Sequence, residues 1–117
     1  MRPVFFDDVD EPGDLNVQLR RQYPGRHIDS LPLFTTVVPG DVALTAIRVM
    51  VDGRVRHQLY AVDRGTWSLT GIYILYTDAL RELLRWRRYI VEDGGTVAEW
   101  QLTHQDGIYP EGSSFAS

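Results

Sequence analysis

The sequence predicts an α+β domain, an antiparallel sheet of three to five strands with one amphipathic helix packed on it, and three observations carry that expectation. Residues 43–62 hold two runs rich in branched and aromatic side chains joined by Asp52-Gly53. Such a pair adopts the positive φ angles of a type I′ turn, whose twist matches that of the flanking strands. Residues 79–93, ALRELLRWRRYIVED, place apolar side chains at helical spacing and stop at Gly94-Gly95. The length of 117 residues suits one hydrophobic core, so a single domain is expected over 1–117, with 1–12 and 105–117 as exposed extensions.

Taken in order, Asp14 caps a short helix from Leu15 to Tyr23, which Pro24-Gly25 ends. Leu15, Val17 and Leu19 also alternate at period two, so a strand in this window stays open. Residues 24–41 read as loop around an apolar stretch, Leu33 to Val38, suited to an edge strand. In the first arm of the hairpin Ala43, Thr45, Ile47, Val49 and Val51 share one face, expected to meet the core. One face of the ribbon should carry Arg48, Arg54 and Arg56 in some combination. Arg64-Gly65 then turns the chain into a third strand over 66–76.

Thr77 or Asp78 caps the main helix, about 78–92, with Leu80, Leu83, Leu84, Ile90 and Val91 along its apolar side and Arg81, Arg85 and Arg88 as an outward stripe. Arg87 falls on the apolar side, where it must either snorkel past the sheet or meet a carboxylate. Residues 96–103, TVAEWQLT, read as a fourth strand with Val97, Trp100 and Leu102 toward the core.

Composition excludes several chemistries. With no cysteine there is no disulfide, thiol nucleophile or thiolate metal site. All twelve cationic side chains are arginine, which excludes a Schiff-base or general-base lysine. No run approaches the roughly 18 apolar residues of a membrane helix, and MRPVFFDDVDEPGD lacks the apolar core of a signal peptide, so no membrane association and a cytoplasmic location are expected. Charge is segregated: residues 1–14 set Arg2 against Asp7, Asp8, Asp10, Glu11 and Asp14, the middle holds the other arginines, and 89–117 holds acids alone. Acidic ends therefore flank a basic centre, and they either neutralise it within the domain or offer a charged surface to a partner.

The three histidines, His27, His57 and His104, lack ligand spacing, so no metal is expected, and no cofactor motif is present. Ser30 or Ser68 with His57 and Asp63 has the residue types of a hydrolytic triad, but there is no nucleophile-elbow pattern around either serine. Gly-Ile-Tyr occurs at 71–73 and 107–109, matching the first element of the nucleases named for paired GIY and YIG motifs; Tyr76 is followed by Thr77-Asp78, so the second element is missing. Arg81, Arg85 and Arg88, with Trp86 and Tyr89 nearby, form an alternative anion or nucleic-acid site. Asp78 and Glu82 stand at the right spacing to pair Arg81 and Arg85, and the pI of about 5.2 opposes attraction to nucleic acid.

From Arg56 to Gln101 the chain carries a strand, Gly65-Thr66-Trp67, a helix beginning TDALRELL at 77, a Gly-Gly turn and a closing AEWQ at 98–101. This stretch resembles the C-terminal half of bacterial polymorphic-toxin immunity proteins, the family paired with deaminase toxins. The resemblance implies a non-catalytic inhibitor that binds a cognate protein, a toxin or other bacterial enzyme, and occludes its active site. On that view Asp7, Asp8, Asp10, Glu11 and Asp14 are rim or anchor charges, and Phe5, Phe6, Trp67 and Tyr109 are candidate buried anchors. Two rivals stand beside it: a small enzyme or ligand-binding domain with a pocket lined by Trp67, Tyr73, Trp86 and Trp100, and a phage-type inhibitor or nucleic-acid-binding regulator. Reversing Asp7, Asp8 and Asp10 to Arg is expected to slow association with the toxin and flatten its salt dependence in stopped-flow measurements. An unchanged on-rate removes this segment from the interface.

Overall fold

A computed structural model describes residues 14–104. They form α1 (Leu15–Gln22), β1 (Ile28–Val38), β2 (Val42–Val51), β3 (Arg54–Asp63), β4 (Thr66–Tyr73), α2 (Tyr76–Val91) and α3 (Val97–His104). The strands make one antiparallel sheet in the order β1-β2-β3-β4, with α1 on one face and α2 and α3 on the other. The α+β architecture is therefore the one expected.

Turn chemistry sets the register. Asp52 and Gly53 have φ of 50° and 84°, and Arg64 and Gly65 have 53° and 80°, so both two-residue connections place both central residues at positive φ. They align Val51 with Arg54 and Asp63 with Thr66. The first turn is tied down further: the Asp52 carboxylate takes Arg26 Nε and the His27 amide at 3.3 Å. That fastens the start of β1 to the tip of the neighbouring hairpin.

β1 is longer than Leu33 to Val38, and it includes Pro32. An edge strand tolerates a missing N–H, and the register shift between Pro32 and Phe34 absorbs the irregularity. The shift also changes parity. Ile28, Ser30 and Pro32 pair with Val51, Val49 and Ile47 on the α1 face, whereas Phe34, Thr36 and Val38 pair with Ala46, Leu44 and Val42 on the α2 face.

Both faces of β2 are buried, not only the odd-numbered one. Leu44 and Ala46 join Val38, Leu59, Ala61, Ala79, Leu83, Trp86 and Ile90 beneath α2, while Ile47, Val49 and Val51 join Leu19, Tyr23 and Tyr60 beneath α1. The hairpin arginines divide accordingly: Arg54 and Arg56 oppose Val51 and Val49 on the α1 face, and Arg48 opposes His57 on the α2 face.

Asp14 caps α1 by accepting from the Asn16 amide at 2.8 Å, as its sequence predicts. What seats α1 is polar. Gln22 Nε2 donates to Tyr60 Oη (2.9 Å), Tyr60 Oη donates to Gln58 Oε1 (2.5 Å), and Gln58 Nε2 donates to Gln22 Oε1 (2.7 Å) and to Tyr23 Oη (3.1 Å). Gln58 and Tyr60 are fully buried, so this closed ring satisfies groups that would otherwise lose their water unpaid for. Burial pushes the Tyr60 phenol far above its ordinary pKa.

Four sequence expectations need correction here. The helix α2 starts at Tyr76, two residues before Asp78, with Leu75 at its N-cap and no side-chain cap; Asp78 lies in the first turn, where a carboxylate suits the helix dipole. Its buried face is Ala79, Leu83, Trp86 and Ile90, leaving Leu84 and Val91 half exposed. The strand expected over 66–76 is β4, and it ends at Tyr73. Residues 96–103 are not a strand: Thr96 and Glu99 form a reciprocal capping box, with Thr96 N to Glu99 Oε1 at 2.9 Å and Glu99 N to Thr96 Oγ1 at 3.1 Å, and α3 follows with Leu102 exposed.

Gln58→Leu is expected to lower stability by about 2–3 kcal/mol in urea unfolding, because it removes hydrogen bonds to Gln22, Tyr23 and Tyr60 at a buried site. An unchanged midpoint would mean that the ring adds nothing to the seating of α1.

Candidate functional site

A cleft of about 440 Å³ opens where the end of β4, the first turns of α2 and the end of α3 meet. Gly71, Ile72 and Tyr73 line one side, Asp78, Arg81 and Glu82 another, and His104 a third. Each wall has a local cause. The Tyr73 ring lies over Gly71 so closely that a Cβ there would meet the phenol, and any larger residue would have to displace the ring. Ile74 and Leu75, the two residues that join the first two walls, are 69% and 57% exposed. His57 Nδ1 lies 3.1 Å from the Ile74 carbonyl and its ring packs against Tyr76, which fixes the path of this connection.

Charges in the cleft are mostly matched. Arg81 pairs with Asp78 and Arg85 with Glu82, each at 3.1 Å and three residues apart. Burial, then the nearby Glu82 and Asp78 carboxylates, push the Tyr73 phenol up to about 12, so it is a neutral hydroxyl at physiological pH. On α3, the Trp100 indole stacks on His104 at 3.8 Å and 9°. His104 Nδ1 is 2.8 Å from the Trp100 carbonyl, which can only accept, so Nδ1 is the donor in this contact. The floor of α3 is held by Gln101 Nε2 donating to Thr70 Oγ1 at 3.1 Å and by Tyr89 Oη donating to Glu99 at 3.2 Å.

The candidate residues read from the sequence scatter. Asp7, Asp8, Asp10, Glu11, Phe5, Phe6 and Tyr109 lie outside the described residues, as do both expected extensions. Asp14 is engaged as a helix cap. Trp67 is half-buried on the α1 face, edge-on to Tyr60 with centroids 5.5 Å apart. Trp86 is fully buried in the α2 core, and Trp100 lies against Tyr89; the four-residue pocket of Trp67, Tyr73, Trp86 and Trp100 is therefore not assembled, because the sheet separates Trp67 from the rest. Ser30 is on the α1 face while His57 is on the α2 face, and Ser68 aligns with Ala61, four residues along β3 from His57, so no triad forms. Arg81, Arg85 and Arg88 do form an exposed stripe, with Arg81 and Arg85 in the predicted ion pairs. Arg87 is exposed rather than buried.

Among the described residues no group of three histidine, aspartate or glutamate side chains could hold a metal ion, and no helix is long and apolar enough to cross a membrane. The cleft itself went unread in the sequence, since its third wall depends on α3. The signal was present in Thr96-x-x-Glu99, the spacing of a capping box. Comparison of the chain with protein-family models, with curated proteins and with solved structures found no match in any of the three.

Acid should loosen the start of α3 and the β2–β3 turn. The Thr96 amide and hydroxyl, with Tyr89, hold the Glu99 carboxyl below its ordinary 4.5, and Arg26 chiefly holds Asp52 below 3.8. For a depressed pKa the stabilisation is complete above the unfolded value and is lost as pH falls through the folded one. Stability should therefore decline from about pH 5 downward. Glu99→Gln, which keeps the cap without a titrating group, should make the acid decline shallower in thermal melts; an identical pH profile would contradict this.

Proposed function

We propose that this chain is a non-catalytic protein-binding module, an immunity-type inhibitor that neutralises a cognate toxin or other bacterial enzyme by covering its active site. The observation that supports this reading is the pair Ile74 and Leu75, large apolar side chains more than half exposed at the junction of two cleft walls, beside Asp78 and Glu82. Isolated exposed apolar residues are ordinary, but adjacent ones rimmed by charge have the makeup of an interface anchor. A basic active-site entrance on the partner would complement the carboxylates and speed association. The resemblance of residues 56–101 to immunity proteins points to the same class of partner, although AEWQ, which stands where that family has a closing strand, lies in α3.

A second reading takes its support from the volume of the cleft, which matches that of small-ligand sites and has the neutral Tyr73 phenol and the His104 imidazole on its walls. The two readings separate in one experiment. The chain is mixed with the product of the gene beside its own, and binding and that product's residual activity are measured by calorimetry and turnover. Stoichiometric inhibition is expected. The double variant Ile74→Asp/Leu75→Asp, whose side chains leave solvent only in the complex, should fold normally by circular dichroism and bind about 100-fold more weakly. Undiminished binding by that variant, or substrate turnover by the chain alone, would overturn the proposal.

A further inference from the structure

A different surface carries a separate conclusion. β1 is an edge of the sheet, eleven residues long, and Leu31, Leu33, Phe34 and Val37 on it are all exposed, Val37 by 64%. A long apolar edge is a template for another strand. Pro32 and the adjacent register shift are devices that discourage indiscriminate pairing, so whatever pairs here must fit them.

The strand's own sequence fits. Read from both ends toward the Pro32-Leu33 step, residues 28–37 are symmetric in polarity: Ile28 matches Val37, Asp29 matches Thr36, Ser30 matches Thr35 and Leu31 matches Phe34. In an antiparallel ladder paired residues must also share a face. A regular strand would fail that requirement, because residues an odd number apart point to opposite faces. The parity change between Pro32 and Phe34 repairs it: Leu31 and Phe34 both lie on the α2 face, and Ile28 and Val37 both lie on the α1 face. The irregularity is thus what makes the strand complementary to itself.

The helix above adds to the same surface. α3 lies along one flank of α2, through the Tyr89–Trp100 contact, and reaches β4 through Gln101. At 100° per residue, Leu80, Leu84, Arg87 and Val91 occupy the other flank, toward β1, and Leu84 and Val91 are half exposed there. Ile90 and Val38 share one core cluster, so the Arg87-bearing half of α2 lies over the C-terminal end of β1. Self-pairing brings Asp29 of a second copy beside Thr36 at that end, carboxylate toward guanidinium.

We propose that the occupant of this edge is a second copy of the chain, joined by antiparallel β1–β1 pairing about a two-fold axis at Pro32-Leu33 into a continuous eight-stranded sheet. The interface is isologous, as the two-fold requires, and both cleft-bearing ends stay at the outer edges of the assembly.

The chain has no cysteine, so single thiols report the register directly. In solution light scattering should give twice the 13.4 kDa chain mass at micromolar concentration. Under mild oxidation Leu33→Cys, beside the axis, should cross-link fully between copies. Ile28→Cys should not, since its two copies sit about 30 Å apart at 3.3 Å per residue, whereas Ile28→Cys/Val37→Cys should. Leu31→Arg/Phe34→Arg, at exposed positions, should give a folded species of 13.4 kDa. A wild-type mass of one chain, or equal cross-linking of Leu33→Cys and Ile28→Cys, would overturn the proposal even if a double-arginine variant failed to fold.

Discussion

β2 is apolar on both faces, and that constraint organises the rest of the molecule. Leu44 and Ala46 point one way and Ile47 and Val49 the other, all fully buried, so the central strand cannot rest with one side in water. A helix must cover each face. The short α1 and the longer α2 are the two covers, and their positions before and after the meander follow from the strands being joined by turns too short to hold a helix.

The two covers are held by different chemistry. α2 buries Ala79, Leu83, Trp86 and Ile90 over an apolar sheet face, where area removed from water stabilises the contact without directional demands. α1 is only eight residues long and contributes little apolar area, and its seat is the ring of Gln22, Gln58, Tyr60 and Tyr23. Such a ring adds little net energy per bond but tolerates only one arrangement. The small helix therefore gains a defined position that packing alone would not supply. Trp86 is the contrasting case: its indole N–H has no hydrogen-bond partner among the described residues, so the large apolar ring offsets the cost of an unmatched donor.

Features written in local chemistry were legible in the sequence. Asp52-Gly53 and Arg64-Gly65 specify their turns, Asp14 caps α1, and Asp78 and Glu82 find Arg81 and Arg85 at helical spacing. What was not legible depended on non-local packing. Trp86 reads as a neighbour of the arginine stripe or as pocket lining until the sheet beneath it is known, and Leu84 and Val91 read as core although α2 turns them outward. TVAEWQLT has the branched and aromatic residues of a strand, and only the reciprocal bonds of Thr96 and Glu99 decide for helix. The cleft followed that error, since without α3 it has no third wall. The parity change in β1 was likewise hidden, because it arises where Pro32 meets β2 rather than in either strand alone.

The tight connections of the meander also bear on how the chain reaches this state. Every strand pairs with its nearest neighbour in sequence across two or three intervening residues, so each ladder begins with a short loop and a small closure entropy. Low sequence separation favours rapid folding. The bonds from Gln22 to Gln58 and Tyr60, by contrast, span 36 and 38 residues and require a finished β3 as their template. Seating α1 therefore closes a far longer stretch of chain than any ladder of the sheet does.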